Sequence, residues 1–203
     1  MMDAQLYLIP ESTMREEVTP VQNDRCAIYM KKPVAGTGLW TSAYREETDD
    51  SAWVEWCHSE TYSNPDRQYW HLLTPRHDAR IYTIDGPNDF IALIARYPYV
   101  SQELERCLPP RAFFRHYYTG IDFEKLSQDY DGLHLTEEGN AQLHLPFDYD
   151  FDMNAWDVES TVWFRWCFEK VECIRTPTIV ETKHECREEK EQPVTSIQFE
   201  AIL

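Results

Sequence analysis

Two short segments carry residue types that could do chemistry together. Gly38-Leu39-Trp40-Thr41-Ser42 sets two hydroxyls beside a tryptophan, and Trp156-Asp157-Val158-Glu159-Ser160 sets a carboxylate immediately ahead of an alternating run. An aromatic face with hydroxyls suits a ring and a sugar. A fixed carboxylate is worth most where positive charge develops in a transition state. The pair therefore suggests nucleotide chemistry, with Glu159 as the charged group. The plain alternatives are a buried Trp followed by a hydroxyl turn, and a carboxylate that caps a helix or edges a strand.

Strands and turns must hold these segments. Residues 6–9 predict a first short strand stopped by Pro10, and residues 26–30 another, stopped by Lys31-Lys32-Pro33. Gly36-Thr37-Gly38 then permits a tight backbone path into Leu39-Trp40-Thr41-Ser42. Asp49, Asp50 or Ser51 can cap a helix whose Ala52, Trp53, Trp56 and Cys57 share an inward face. Residues 79–85 alternate as a strand before Gly86-Pro87, and Asn88 or Asp89 starts a helix through Phe90, Leu93, Ile94 and Tyr97. Residues 101–108 and 122–130 predict two more helices, and residues 131–136 a strand. The clearest strand spans residues 160–169, where Val162, Phe164, Trp166 and Phe168 alternate with Thr161, Trp163, Arg165 and Cys167. Residues 181–193 read as a charged surface segment and residues 194–203 as an edge strand. There is no repeat or low-complexity linker, so the expectation is one α+β domain over residues 1–203.

Composition narrows the partners. The chain has 36 acidic against 19 basic residues, a formal charge of −17. A general phosphate-backbone binder needs clustered Lys and Arg, so direct nucleic-acid binding is not expected. The acidity fits a solvated surface, or a decoy that imitates nucleic acid for a basic protein. No run of roughly 18 apolar residues occurs, and Met1-Met2-Asp3-Ala4 lacks the pattern of a secretory signal, so a cytoplasmic protein without a membrane contact is expected. Six scattered cysteines suit reduced thiols better than a disulfide framework.

Other constellations are weaker. Asp148, Asp150, Asp152 and Glu159 match ligand spacing in a calcium loop, but Met153 stands where that loop needs glycine, and a solvated acidic loop is preferred. His184, Cys186, Cys167 and Cys173 offer zinc ligands without a Cys-x-x-Cys clamp. Cys57 and His58 are adjacent on a helix and so diverge, which spoils a nucleophile–base pairing. His71 and His134 are acid–base candidates whose alternative is a satisfied or surface side chain.

The layout as a whole resembles the ADP-ribosyltransferase superfamily, enzymes that cleave the nicotinamide–ribose bond of NAD. In that family a first strand carries Arg or His, a second carries a hydroxyl motif followed by a helix, and a later strand opens with the catalytic Glu. Trp40-Thr41-Ser42 followed by residues 51–60 matches the second motif, and Asp157-Val158-Glu159 the third. Residues 6–9 carry neither Arg nor His, and the nearest alternatives are Arg15 and Arg25. The resemblance implies a split, mostly antiparallel sheet flanked by short helices. It implies NAD as cofactor, Glu159 as catalytic carboxylate, and Asp157 to orient the acceptor nucleophile. Thr41 and Ser42 would position the nicotinamide-ribose, and Trp40 or Tyr44 would stack on the ring. The product would be ADP-ribose joined to a protein or other macromolecular acceptor. A different class is a non-catalytic acidic binding or inhibitor protein, a nucleic-acid mimic of phage type, with carboxylates aligned on one exposed face. A third is a structural protein whose tryptophans build the core and whose Glu159 meets no cavity.

Overall fold

The two chemical segments lie on neighbouring strands of one sheet. This is the arrangement in a computed structural model that describes residues 2–26, 31–107, 119–143, 153 and 156–178. In chain order the strands are β1 (Gln5–Ile9), β2 (Leu39–Ala43), β3 (Tyr69–Pro75), β4 (Ile81–Ile84), β5 (Pro98–Tyr99), β6 (Gly120–Ile121), β7 (Gly132–Leu135), β8 (Ser160–Trp163) and β9 (Phe168–Arg175). The helices are α1 (Ala52–Ser59), α2 (Pro87–Arg96), α3 (Gln102–Cys107), α4 (Phe123–Asp129) and α5 (Glu137–Leu143). Seven strands pair in the order β4-β7-β8-β2-β1-β3-β9, and β5 with β6 forms a separate ribbon. Only β4 with β7 runs parallel, so the sheet is mostly antiparallel and the fold mixes α with β.

Register decides which face each candidate occupies. Trp40 lies opposite Val162, itself opposite Leu133, while Thr41 lies opposite Thr161, itself opposite His134. Successive strand residues point to opposite faces, so these two rows belong to opposite sides of the sheet. On the first side Ile84, Leu133, Leu135 and Val162 pack with Phe90 and Leu93 of α2, Leu126 of α4, Leu143 of α5 and Trp156. On the other, Leu39, Leu73, Trp163 and Phe168 form a core against Met14 and Val18. Each fully buried Leu, Val or Phe in these layers contributes about 1.5–3 kcal/mol.

Local chemistry places the ends of the elements. The Ser51 hydroxyl accepts from Val54 N at 3.4 Å and starts α1, and the Asp122 carboxylate accepts from Lys125 N at 3.1 Å and starts α4. Gly36 and Gly38 both have positive φ, at 79° and 69°, and a Cβ on Gly38 would lie 2.7 Å from Val162 Cγ2. Only glycine fits a turn so close to β8.

Four expectations change. Residues 160–169 form not one strand but β8 and the start of β9, separated by a bend in which Phe164 N donates to Asp131 O and Cys167 O accepts from Arg76 N, each at 2.8 Å. The sequence keeps its period of two through the bend, but the faces do not stay in step: Val162 and Phe164 pack in the first core, whereas Phe168 packs beside Trp163 in the second. On α1 the buried residues are Ala52, Val54 and Cys57, while Trp53 and Trp56 are half-buried and stack on each other. Helix α2 begins at Pro87 with Gly86 before it, earlier than Asn88 or Asp89, because proline preorganises the first helical position. Strand β3, central to one half of the sheet, and helix α5 were not expected: β3 holds Trp-His-Leu-Leu-Thr with no clean alternation, and α5 is too short to show a period.

The candidate strands over residues 26–30 and 194–203, the charged segment 181–193, the run Asp148 to Asp152 and the pair His184 and Cys186 fall largely or wholly outside the described residues. Cys26, Cys57, Cys107, Cys167 and Cys173 are free thiols. Among the described residues no helix is long and apolar enough to cross a membrane.

Candidate functional site

Pairing of β2 with β8 brings Ser42 to Glu159 across 117 residues of sequence. Ser42 Oγ donates to Glu159 Oε2 at 2.6 Å, and Ala43 N donates to the same oxygen at 2.9 Å. Charge-assisted bonds of this kind fix a carboxylate strongly. Glu159 is 5 % exposed. Its other oxygen, Oε1, has no hydrogen-bond partner and faces His134 Nδ1 at 3.5 Å. The imidazole nitrogen instead contacts Thr161 Oγ1 at 2.8 Å.

Both groups resist charge. Burial pushes the Glu159 carboxyl above its ordinary value, against the lowering effect of the bonds from Ser42 and Ala43. Burial also holds His134 below its ordinary value, although Asp85 opposes this. The 3.5 Å approach thus joins two groups that burial makes harder to charge.

A cavity of about 520 Å³ opens on the tryptophan side of the sheet. Trp40 and Trp156 meet edge to face with centroids 4.8 Å apart and form part of its wall. Trp53, Trp56 and Tyr62, a mutually packed trio, form another part. Lys32 and Asp157 add one charge of each sign. Ser42 stands on this wall with the Glu159 carboxylate behind it. The volume lies in the range of about 300–1,000 Å³ typical of small-molecule sites.

The other candidates separate. Thr41 borders the cavity, yet its hydroxyl belongs to the opposite face, donating to Gln5 Oε1 at 2.7 Å and accepting from Trp163 Nε1 at 2.9 Å. Tyr44 packs beside Leu6, Val54 and Trp70, and its hydroxyl donates to Asp49 Oδ1 at 2.6 Å. Asp157 is exposed at the cavity and its backbone oxygen accepts from Asn140 at 3.4 Å. Strand β1 offers Leu6, Tyr7 and Leu8 to the cavity where the resemblance implies Arg or His. His71 on β3 is 3 % exposed and neither ring nitrogen has a hydrogen-bond partner. The nearness of His134 to Glu159 was invisible in sequence, since nothing but the β7–β8 register relates them. No protein family, curated protein or solved structure matches this chain.

Proposed function

We propose that this protein is an ADP-ribosyltransferase-like enzyme that cleaves NAD at the nicotinamide–ribose bond and transfers ADP-ribose to a macromolecular acceptor in the cytoplasm. The observation that supports the reading is the Ser42–Glu159 hydrogen bond, made where β2 meets β8 at the wall of an aromatic cavity. In this reaction the C1′–N bond breaks, its electron pair leaves with nicotinamide, and positive charge grows on the ribose. The Glu159 carboxylate is the group to stabilise that charge, because the Ser42 hydroxyl and Ala43 N–H already aim it. Trp40 and Trp156 offer faces and edges for the flat rings of the dinucleotide. Lys32 is the cation at the wall for a phosphate. Glu159 lies just ahead of β8 and outside the cavity lining, so the carboxylate must turn from behind Ser42 to reach the sugar. The acceptor nucleophile attacks C1′ and gives up its proton, with Asp157 at the mouth to receive or orient it.

Nicotinamide release from NAD by the purified protein tests this. Wild type should release nicotinamide, Glu159→Gln should lower the rate by about 10²–10³-fold, and Ser42→Ala should lower it by a smaller factor. Absence of release by wild type, or an unchanged rate in Glu159→Gln, overturns the reading.

A further inference from the structure

A second cavity, of about 470 Å³, lies on the sheet face opposite Trp40 and Trp156, where Ala43, Thr83 and His134 form part of its wall with Asp3, Arg76 and His77. We propose that this cavity binds a neutral, hydroxyl-rich ligand of sugar size, one hydroxyl of which bonds to the His134 imidazole, itself held by Thr161 with Glu159 beside it.

Three observations carry this. The first is the commitment of the imidazole. Nδ1 is 2.8 Å from Thr161 Oγ1 and 3.5 Å from Glu159 Oε1, the Ser160 backbone also acts on the ring, and the ring itself lines the cavity, where a ligand can bond to it. A neutral imidazole has one donor and one acceptor nitrogen, so a hydroxyl, able to donate or accept, pairs with either tautomer. The second is Glu159 Oε1, buried and without a hydrogen-bond partner. Buried polar atoms are seldom left unpaired, and this one stands 3.5 Å from the imidazole, close enough to bond to it once a ligand on the cavity side settles the ring.

The third is charge. Arg76 is engaged by Asp78 through bonds of 3.0 and 2.7 Å, and Asp3 adds a carboxylate to the wall. The cavity therefore has no surplus positive charge to hold a phosphate or carboxylate, in a chain whose formal charge is −17. Its remaining groups, the Thr83 hydroxyl, the Asp3 carboxylate and the imidazoles, suit hydroxyls. This site stands apart from NAD cleavage and shares with it only Ala43, at the wall, and Glu159, beside the imidazole.

The test uses the full chain with D-ribose and, separately, inorganic phosphate as probes, followed by histidine-selective NMR. D-Ribose should shift the His134 imidazole resonances saturably, and phosphate at equal concentration should leave them in place. Saturation-transfer spectra on the sugar should then show affinity falling by about fivefold or more in His134→Gln and in Thr83→Val, with circular dichroism as in wild type. Glu159→Gln should alter the His134 tautomer signal even without ligand. A shift caused by phosphate alone, no shift with either probe, or ribose affinity retained in both cavity variants would overturn the proposal. None of these readouts depends on nicotinamide release, so failure here and failure of the NAD reading are separable.

Discussion

Glu159 is buried and His134 half-buried beside it, and their titrations pull stability in opposite directions. The folded state holds the Glu159 proton more tightly than the unfolded chain, so the stability this group contributes is complete below about 4.5 and is lost as pH rises through its folded value. The folded state holds the His134 proton more weakly, so its contribution is complete above about 6.5 and is lost as pH falls through its folded value. Asp85 and Asp3 act on the imidazole, and Glu137 and Arg45 on the carboxyl, so these neighbours are kept in both variants of the test. Between those limits the two slopes partly cancel in wild type. Glu159→Gln should therefore gain stability relative to wild type as pH rises from 4.5 to 6.5, and His134→Gln should lose it, as read from urea midpoints at three pH values. Equal pH profiles for all three proteins would show that the pair is not buried as described. A second residue-scale expectation concerns thiols. Burial pushes Cys167 up to about 11 and Cys57 upward as well, so both should stay unmodified by iodoacetamide at pH 8 in the folded protein, checked by peptide mass mapping, while exposed Cys173 reacts. Ser42 and Glu159 were legible as candidates from residue type alone. His134 was legible only as a histidine, because its partner lies 25 positions further along the chain and meets it through strand pairing.

At the scale of elements, the site depends on how closely β2 approaches β8 and how firmly α1 is seated. Gly38→Ala places a methyl against Val162 Cγ2 at 2.7 Å with φ at 69°, so it should cost about 1–3 kcal/mol and lower the melting temperature measured by circular dichroism. Gly139 is tighter, since a Cβ there would stand 2.2 Å from Ile84 O, a backbone atom that cannot move aside cheaply. Gly139→Ala should thus exceed Gly38→Ala in cost and part α5 from β4. Ser51→Ala removes the cap that Val54 N uses and should cost about 1 kcal/mol, the ordinary loss for such a cap. Elements with strong local signals were legible: α1 with a cap at Ser51, α2 with Phe90 and Leu93 on its buried face, and α4 with Phe123 and Leu126 on its own. Strand β3 was not, because it is covered on both sides over part of its length, and a strand buried on both faces loses the alternation that marks a half-exposed one. The long run from Ser160 misled for a different reason, since its apolar residues alternate straight through a bend that carries Phe168 to the opposite face from Val162.

For the whole molecule, the dominant quantity is a charge of −17, which repels itself in any compact form. Raising salt from 0.01 to 0.15 M shortens the screening length from about 30 to about 8 Å. The melting temperature should rise by about 2–4 °C over that range, as scanning calorimetry would detect, whereas a fall would mean that surface ion pairs such as Arg96–Asp129 and Arg175–Asp49 outweigh the repulsion. The sequence by itself determined the mixed α and β character, the acidity, the short helices and the presence of hydroxyls and a carboxylate in two short segments, because these follow from composition, caps and local periodicity. Tertiary structure decided the rest. It alone set the order β4-β7-β8-β2-β1-β3-β9, which joins Ser42 to Glu159 and Glu159 to His134 while turning Thr41 to the far face. The physical reason is that strand register is a long-range choice. A shift of one residue would exchange the faces of every side chain, and only the packing of both cores at once selects among the alternatives.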